Sequence, residues 1–160
     1  METTSSRDSG DRPGVVALPP LIYLAGLVAA FVLNAFVPWR LAVPLPARWA
    51  GATLMLGAVA LAVIARTSFE RAHTNVNPME PATTLVTSGV FRWSRNPMYV
   101  GMTALVTGLA LATRIAWILI ALVLVLAIMH WGVVLREERY LARTFGADYE
   151  GYRSRVRRYL

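Results

Sequence analysis

The sequence contains no cysteine and no lysine. The first absence excludes a disulfide framework, a thiolate metal site and a cysteine nucleophile. The second makes every one of the 16 basic residues an arginine, set against 9 acidic residues. Nor is there a glycine-rich phosphate loop, a histidine or carboxylate cluster at metal-ligand spacing, or a Ser-His-Asp arrangement, which argues against a Walker-type nucleotide enzyme and a zinc protease. What the chain has in abundance is apolar surface. Hydrophobic residues make up 56% of its 160 positions and the mean hydropathy is +0.50, well above a soluble globular chain. The class is all-α integral membrane, one domain by length. The net charge of +7 flanks apolar runs instead of forming a basic face, so anionic lipid headgroups are the expected partner, with no nucleic acid and no metal.

Taken in order, residues 1–14 mix Thr, Ser, Gly, Asp and Arg with almost nothing apolar and read as a disordered tail; residues 15–160 form the membrane domain. The tail is not a signal peptide, because it is too acidic and the apolar run after it is long and lacks a clear cleavage site. A first span is expected from Val15 to Val37, with Pro19-Pro20 near its start. Leu41 to Arg48 is a short connection, with Trp39 and Trp49 as interfacial anchors. Ala50 to Ala65 is a second span, rich in small residues that favour close packing. The polar stretch from Arg66 to Asn96 is long for a connection in a small membrane protein, and such loops are usually functional. Within it, Thr84 to Thr87 is short and half apolar, suited to lying flat on the bundle.

Asn96 reads as an N-cap and Pro97 as the first residue of a third span, Pro97 to Thr113, whose rise is roughly 25 Å. Gly101 and Gly108 on it read as packing positions. Thr113-Arg114 turns tightly into a fourth span, Ile115 to Leu135, that must pack beside the third. Its helix is expected to run on to Thr144, break at Phe145-Gly146 and resume as an amphipathic segment lying in the interface, with Tyr149, Tyr152, Val156 and Tyr159 opposite four arginines. With four spans, the tail, the central loop and the C-terminal segment share one side. That side holds every arginine except Arg40, Arg48 and Arg114, which makes it the cytoplasmic face of the cell membrane.

The third and fourth spans form a hairpin that brings Arg92 and Arg95 to the level of Glu137 and Glu138. Neither glutamate has an arginine three or four positions away, and a carboxylate on an apolar helix face needs a partner elsewhere. That partner is Arg92 or Arg95, or a cationic ligand group; an ion pair that only locks the helices stands as the alternative. Successive helical residues point about 100° apart, so one of the two glutamates is expected to face inward. His130 lies two turns before Glu137 at membrane depth, where an ionisable residue is a functional candidate or a hydrogen-bonded packing residue. His73, in the polar loop, reads as solvent-exposed.

Two stretches, LVTSGVFRWSRNPMYVG at 85–101 and REERYLARTFGADYEGYRSRVRRYL at 136–160, together with His73-Thr74-Asn75-Val76, closely resemble the isoprenylcysteine carboxyl methyltransferase family, which is related to the phospholipid methyltransferases. The resemblance covers residues 71–160. It implies a helical membrane enzyme that transfers a methyl group from S-adenosylmethionine (SAM) to a lipophilic or small amphipathic acceptor, with the C-terminal segment closing the pocket. Carried over by position, Thr83, Thr84, Leu85, Val86, Phe91, Asn96, Pro97, Met98, Tyr99 and Glu137 would line the cofactor site, while Arg95, Glu138 and His130 are candidates for the reacting end. Glu137 would meet the cofactor's ammonium, Arg95 its carboxylate or the acceptor, and Phe91, Trp93 and Tyr99 its adenine. The family often has His at Asn96 and Tyr at Phe91. Its prenylcysteine enzymes tend to hold an Arg where this chain has Val133, which speaks against a prenylcysteine carboxylate as acceptor. Two other readings stand beside this one: an NADPH-dependent membrane reductase of the sterol-reductase type, and a non-catalytic lipid-binding bundle.

Overall fold

The computed structural model describes residues 13–75, 77 and 79–160; the expected tail thus lies almost wholly outside the described residues, as does Val76. Among the described residues the protein is helical without a strand. Helix α1 spans Pro19–Phe36, α2 Leu45–Arg71, α3 Pro97–Thr113, α4 Ala116–Ile128 and α5 Leu135–Arg153, with a π-helical turn at Met129–Val134 joining α4 to α5 and a short 3-10 turn at Gly89–Arg92. Three helical stretches are long and apolar enough to cross a membrane: α1, α2 and the continuous run Ala116–Arg153. The 17-residue α3 is shorter and apolar, as its sequence predicts.

The boundaries follow local chemistry. Proline stands at the first turn of α1, α2 and α3, where its missing N–H costs nothing. The start of α1 accordingly falls at Pro19, not Val15. Helix α2 overruns its apolar stretch at both ends, because helix formation depends on backbone bonding and not on hydropathy. Its polar end is held by an Arg66–Glu70 pair at 2.8 Å and by the Thr67 and Ser68 hydroxyls on Ile64 O. Helix α3 ends at Thr113, and Arg114 after it adopts a left-handed conformation (φ 61°) that turns the chain at once into α4.

The helices pair as α2 with α3 and α1 with α4, and α3 with α4 joins the pairs. Small residues let α2 and α3 touch backbone to backbone. A Cβ on Gly51 would lie 2.7 Å from Gly108 O, and one on Gly108 would lie 2.5 Å from Gly51 O. The core between the other helices joins Tyr23 and Ala30 to Val106, Ile118, Leu122 and Val125, while Leu21, Val28, Leu56, Val63, Val123 and Leu124 turn outward, as lipid-facing side chains would. At the end of the bundle away from the polar loop, the 37–41 connection pairs with the α3–α4 turn through Leu41 N–Arg114 O (2.7 Å) and Ala116 N–Trp39 O (3.0 Å). Trp39 and Trp49 are exposed there.

Helix α5 breaks where glycine permits it, at Gly146 (φ 51°, ψ −123°). After the break the structure departs from expectation. Tyr149 and Tyr152 do not face lipid; they are buried, 1% and 5% exposed, against the turn that precedes α3. Helical order ends at Arg153, and residues 154–160 fold back over that turn as a strap.

Candidate functional site

The strap and the 94–96 turn are sewn together by backbone. Arg95 N donates to Arg157 O at 2.9 Å, and the Asn96 side-chain amide donates to Arg158 O at 2.9 Å. Asn96 is thus the residue before the helix, as predicted, but its side chain makes no cap bond; it holds the strap, and Ser94 Oγ accepts the Asn96 N–H instead. Glu138 sits at the centre. Its Oε1 is 3.0 Å from Arg95 Nη1, and its two oxygens take a bidentate pair from Arg158 at 2.9 and 2.8 Å. That hydrogen bond raises the Arg158 guanidinium above its usual value. Tyr149 Oη accepts from Arg95 Nη1 at 3.3 Å, while Tyr152 donates to Phe91 O at 2.8 Å. Arg92, the other candidate partner, is exposed and takes no part.

Glu137 is treated differently. It accepts a 2.7 Å hydrogen bond from the Tyr99 hydroxyl and has no cationic partner among the described residues. The expectation that one glutamate faces inward is therefore corrected: both carboxylates line the same cleft. The two side chains diverge, Glu137 to Tyr99 of α3 and Glu138 to Arg158 of the strap, in keeping with the 100° between successive helical residues.

This cleft holds about 910 Å³ of empty space, counted to its open mouth. Of the residues predicted for a cofactor, Thr84, Leu85, Val86, Phe91, Asn96, Pro97, Met98, Tyr99 and Glu137 line it, with Arg95 and Glu138 beside them. Thr83 does not line it. Its N–H and that of Thr84 donate to Thr74 Oγ1 (3.1 and 3.3 Å), and its hydroxyl bonds His73 O, which fixes the loop. Trp93 is 81% exposed and does not line the cleft, whereas Phe91 is buried edge-on to Phe69 with ring centroids 5.0 Å apart. Sequence reasoning missed Thr74, Tyr140, Tyr149, Tyr152 and Arg158. Tyr140 reaches back to accept Ala82 N–H at 3.0 Å.

His130 is not in this cleft. It lines a second cavity of about 1290 Å³ of empty space, open at its mouth, and its Nδ1 lies 2.8 Å from the Tyr159 hydroxyl. Tyr99 borders both cavities. In chemical terms the first cleft offers a carboxylate without a cation, Glu137, and the side chain of Arg95, between apolar walls. Such a set suits a ligand that carries a cation and an anion close together.

Comparison with known proteins places this arrangement. The family model for phospholipid methyltransferases matches residues 46–148, which takes in α2, α3, α4 and α5 as far as its glycine break. Searches of curated proteins and of solved structures returned no match. The chain belongs to the phospholipid methyltransferase family, which is related to the isoprenylcysteine carboxyl methyltransferases it resembles in sequence.

Proposed function

We propose that this member of the phospholipid methyltransferase family is a membrane-embedded, SAM-dependent methyltransferase acting on a lipophilic or small amphipathic acceptor. The observation that carries the reading is the Glu137 carboxylate, which lines the first cleft without a cation, with the Arg95 side chain on the same lining; the amino-acid end of SAM presents an ammonium and a carboxylate. The walls suit the cofactor in chemistry as well, since Leu85, Val86, Phe91 and Met98 give apolar surface for a base.

When bound, SAM supplies a methyl group already activated on a sulfonium, so the protein need not provide a nucleophile. The work left to the chain is positioning, which can contribute roughly 7–11 kcal/mol to lowering a barrier. Glu137 holds the ammonium and Tyr99 orients Glu137. Arg95 takes the carboxylate. Glu138, both of whose oxygens are engaged by arginines, acts as a positioning residue that keeps Arg95 in place and the strap closed. Tyr140, Tyr149 and Tyr152 give the cleft aromatic lining on the α5 side. The acceptor would enter from the lipid through the second cavity, whose lining shares Tyr99 with the first cleft and includes His130 as the candidate for the reacting end. The arginine distribution supports a cleft that faces the cytoplasm of the cell membrane, and anionic headgroups around it.

The test is calorimetry on the detergent-purified protein with SAM and, in parallel, NADPH, using Glu137→Gln as the control. Saturable SAM binding weakened at least tenfold in a folded Glu137→Gln protein is the expected result. Binding of NADPH without SAM would replace this reading with the reductase, and binding of neither by folded protein would leave the lipid-binding bundle.

A further inference from the structure

The walls of the second cavity say what kind of acceptor it takes. They come from α1, α2, α3, the α4–π segment and the strap residues Tyr159 and Leu160, with apolar faces from Leu54, Val100, Leu126 and Val134, and no Arg, Asp or Glu side chain lines them. Most of the polar groups present are already engaged. The Tyr23 hydroxyl lies 2.9 Å from that of Thr103, Thr107 donates to Thr103 O at 2.8 Å, and Tyr99 donates to Glu137. His130 Nδ1 is taken by Tyr159, which leaves the ring's Nε2 without a hydrogen bond among the described residues. The histidine stands in the π-helical turn Met129–Val134, a local distortion that recurs at functional sites.

A carboxylate or phosphate placed among these groups would find no guanidinium, because no arginine lines the cavity and the neighbouring Arg158 is held by both oxygens of Glu138. Burying an unpaired charge is far costlier than burying a hydroxyl that finds one hydrogen bond. We infer that this cavity receives an uncharged, single-headed amphiphile, an apolar body ending in a phenol-type hydroxyl, and that His130 accepts the proton the reaction releases. The inference rests on the methyltransferase reading above. In the tautomer with its proton on Nδ1, His130 donates to the Tyr159 oxygen, and Nε2 is the acceptor. As the acceptor oxygen forms its bond to the methyl carbon, the methyl–sulfur bond breaks with its electron pair left on sulfur, and the hydroxyl proton passes to Nε2.

The experiment uses the full chain in detergent and a long-chain alkylphenol brominated in its tail, which quenches the fluorescence of Trp131, a residue of the cavity wall; Trp131→Phe identifies that signal. A brominated fatty acid of equal length and a brominated phosphatidylethanolamine serve as the charged comparisons. Saturable quenching by the phenol, at least tenfold tighter than by either charged probe, is expected. His130→Gln should keep phenol quenching within about threefold while methyl transfer to the phenol falls roughly 10²- to 10⁴-fold, the usual worth of a positioned proton acceptor. Equal or tighter quenching by the fatty acid or the phospholipid would overturn the inference, as would undiminished transfer by His130→Gln. SAM calorimetry separates the two levels. Protein that binds SAM but prefers a charged probe refutes only this inference, whereas protein that prefers the phenol without binding SAM supports the cavity assignment and refutes the methyltransferase reading.

Discussion

Arg158→Ala isolates the strap that packs on the 94–96 turn. The Glu138 side chain is 9% exposed and that of Arg158 31%, so their bidentate pair is only partly screened. A charge-assisted bond of this kind contributes about 1.5–3 kcal/mol. Discounted for the exposure of Arg158, about 1.5–2 kcal/mol is a fair value, or roughly a 10- to 30-fold change in the equilibrium between closed and open strap. Limited trypsin digestion at Arg155 reads that equilibrium, provided opening and closing are fast relative to cleavage. Arg158→Ala and Glu138→Ala should accelerate this cleavage by similar factors, because each removes the same pair. Their global stabilities should differ. Glu138→Ala also strands the Arg95 guanidinium, 9% exposed, and removing one partner of a buried pair costs roughly 3–5 kcal/mol. In Arg158→Ala, by contrast, Glu138 keeps Arg95. The double variant should cleave no faster than Glu138→Ala, since the interaction is already lost. Unchanged cleavage in Arg158→Ala, or additive effects in the double variant, would refute the strap argument.

Other changes probe other parts of the molecule. Thr74→Val removes the acceptor of two backbone N–H groups and should cost about 1–3 kcal/mol of loop order, seen as roughly tenfold or weaker SAM binding by calorimetry; Thr74→Ser should restore it. Gly108→Ala places a Cβ against Gly51 O and should destabilise the protein by about 1–3 kcal/mol through overpacking, lowering the thermal aggregation temperature in detergent. Gly57→Ala, with nothing within 4 Å of the new Cβ, should leave that temperature unchanged or slightly raised.

Much of the fold is legible in the sequence because it is written locally. Pro97 marks the start of α3, Thr113-Arg114 the turn, and Phe145-Gly146 the break in α5, and each depends on backbone rules that act within a few residues. Gly101 and Gly108 are readable as packing positions for the same reason, since they share one face at heptad spacing. The cleft is legible where a motif carries it, from Thr84 to Tyr99 and at Glu137 and Glu138. What escapes the sequence is the choice of partner for an apolar face. Periodicity puts Tyr149, Tyr152 and Tyr159 on one side of a helix but says nothing about whether lipid or protein covers it, and here protein covers Tyr149 and Tyr152. The Arg158–Glu138 pair spans 20 residues across a reversal of the chain, and the Thr74 hydroxyl serves N–H groups nine and ten residues away. Neither spacing is a local rule.

The most direct test of a SAM site in the first cleft is photo-crosslinking with methyl-labelled SAM, followed by peptide mapping of the folded, detergent-purified protein. The account predicts label in the peptides spanning residues 84–99 and 137–152, competed away by S-adenosylhomocysteine and unaffected by NADPH. Label confined to other segments, or displaced by NADPH, would contradict it.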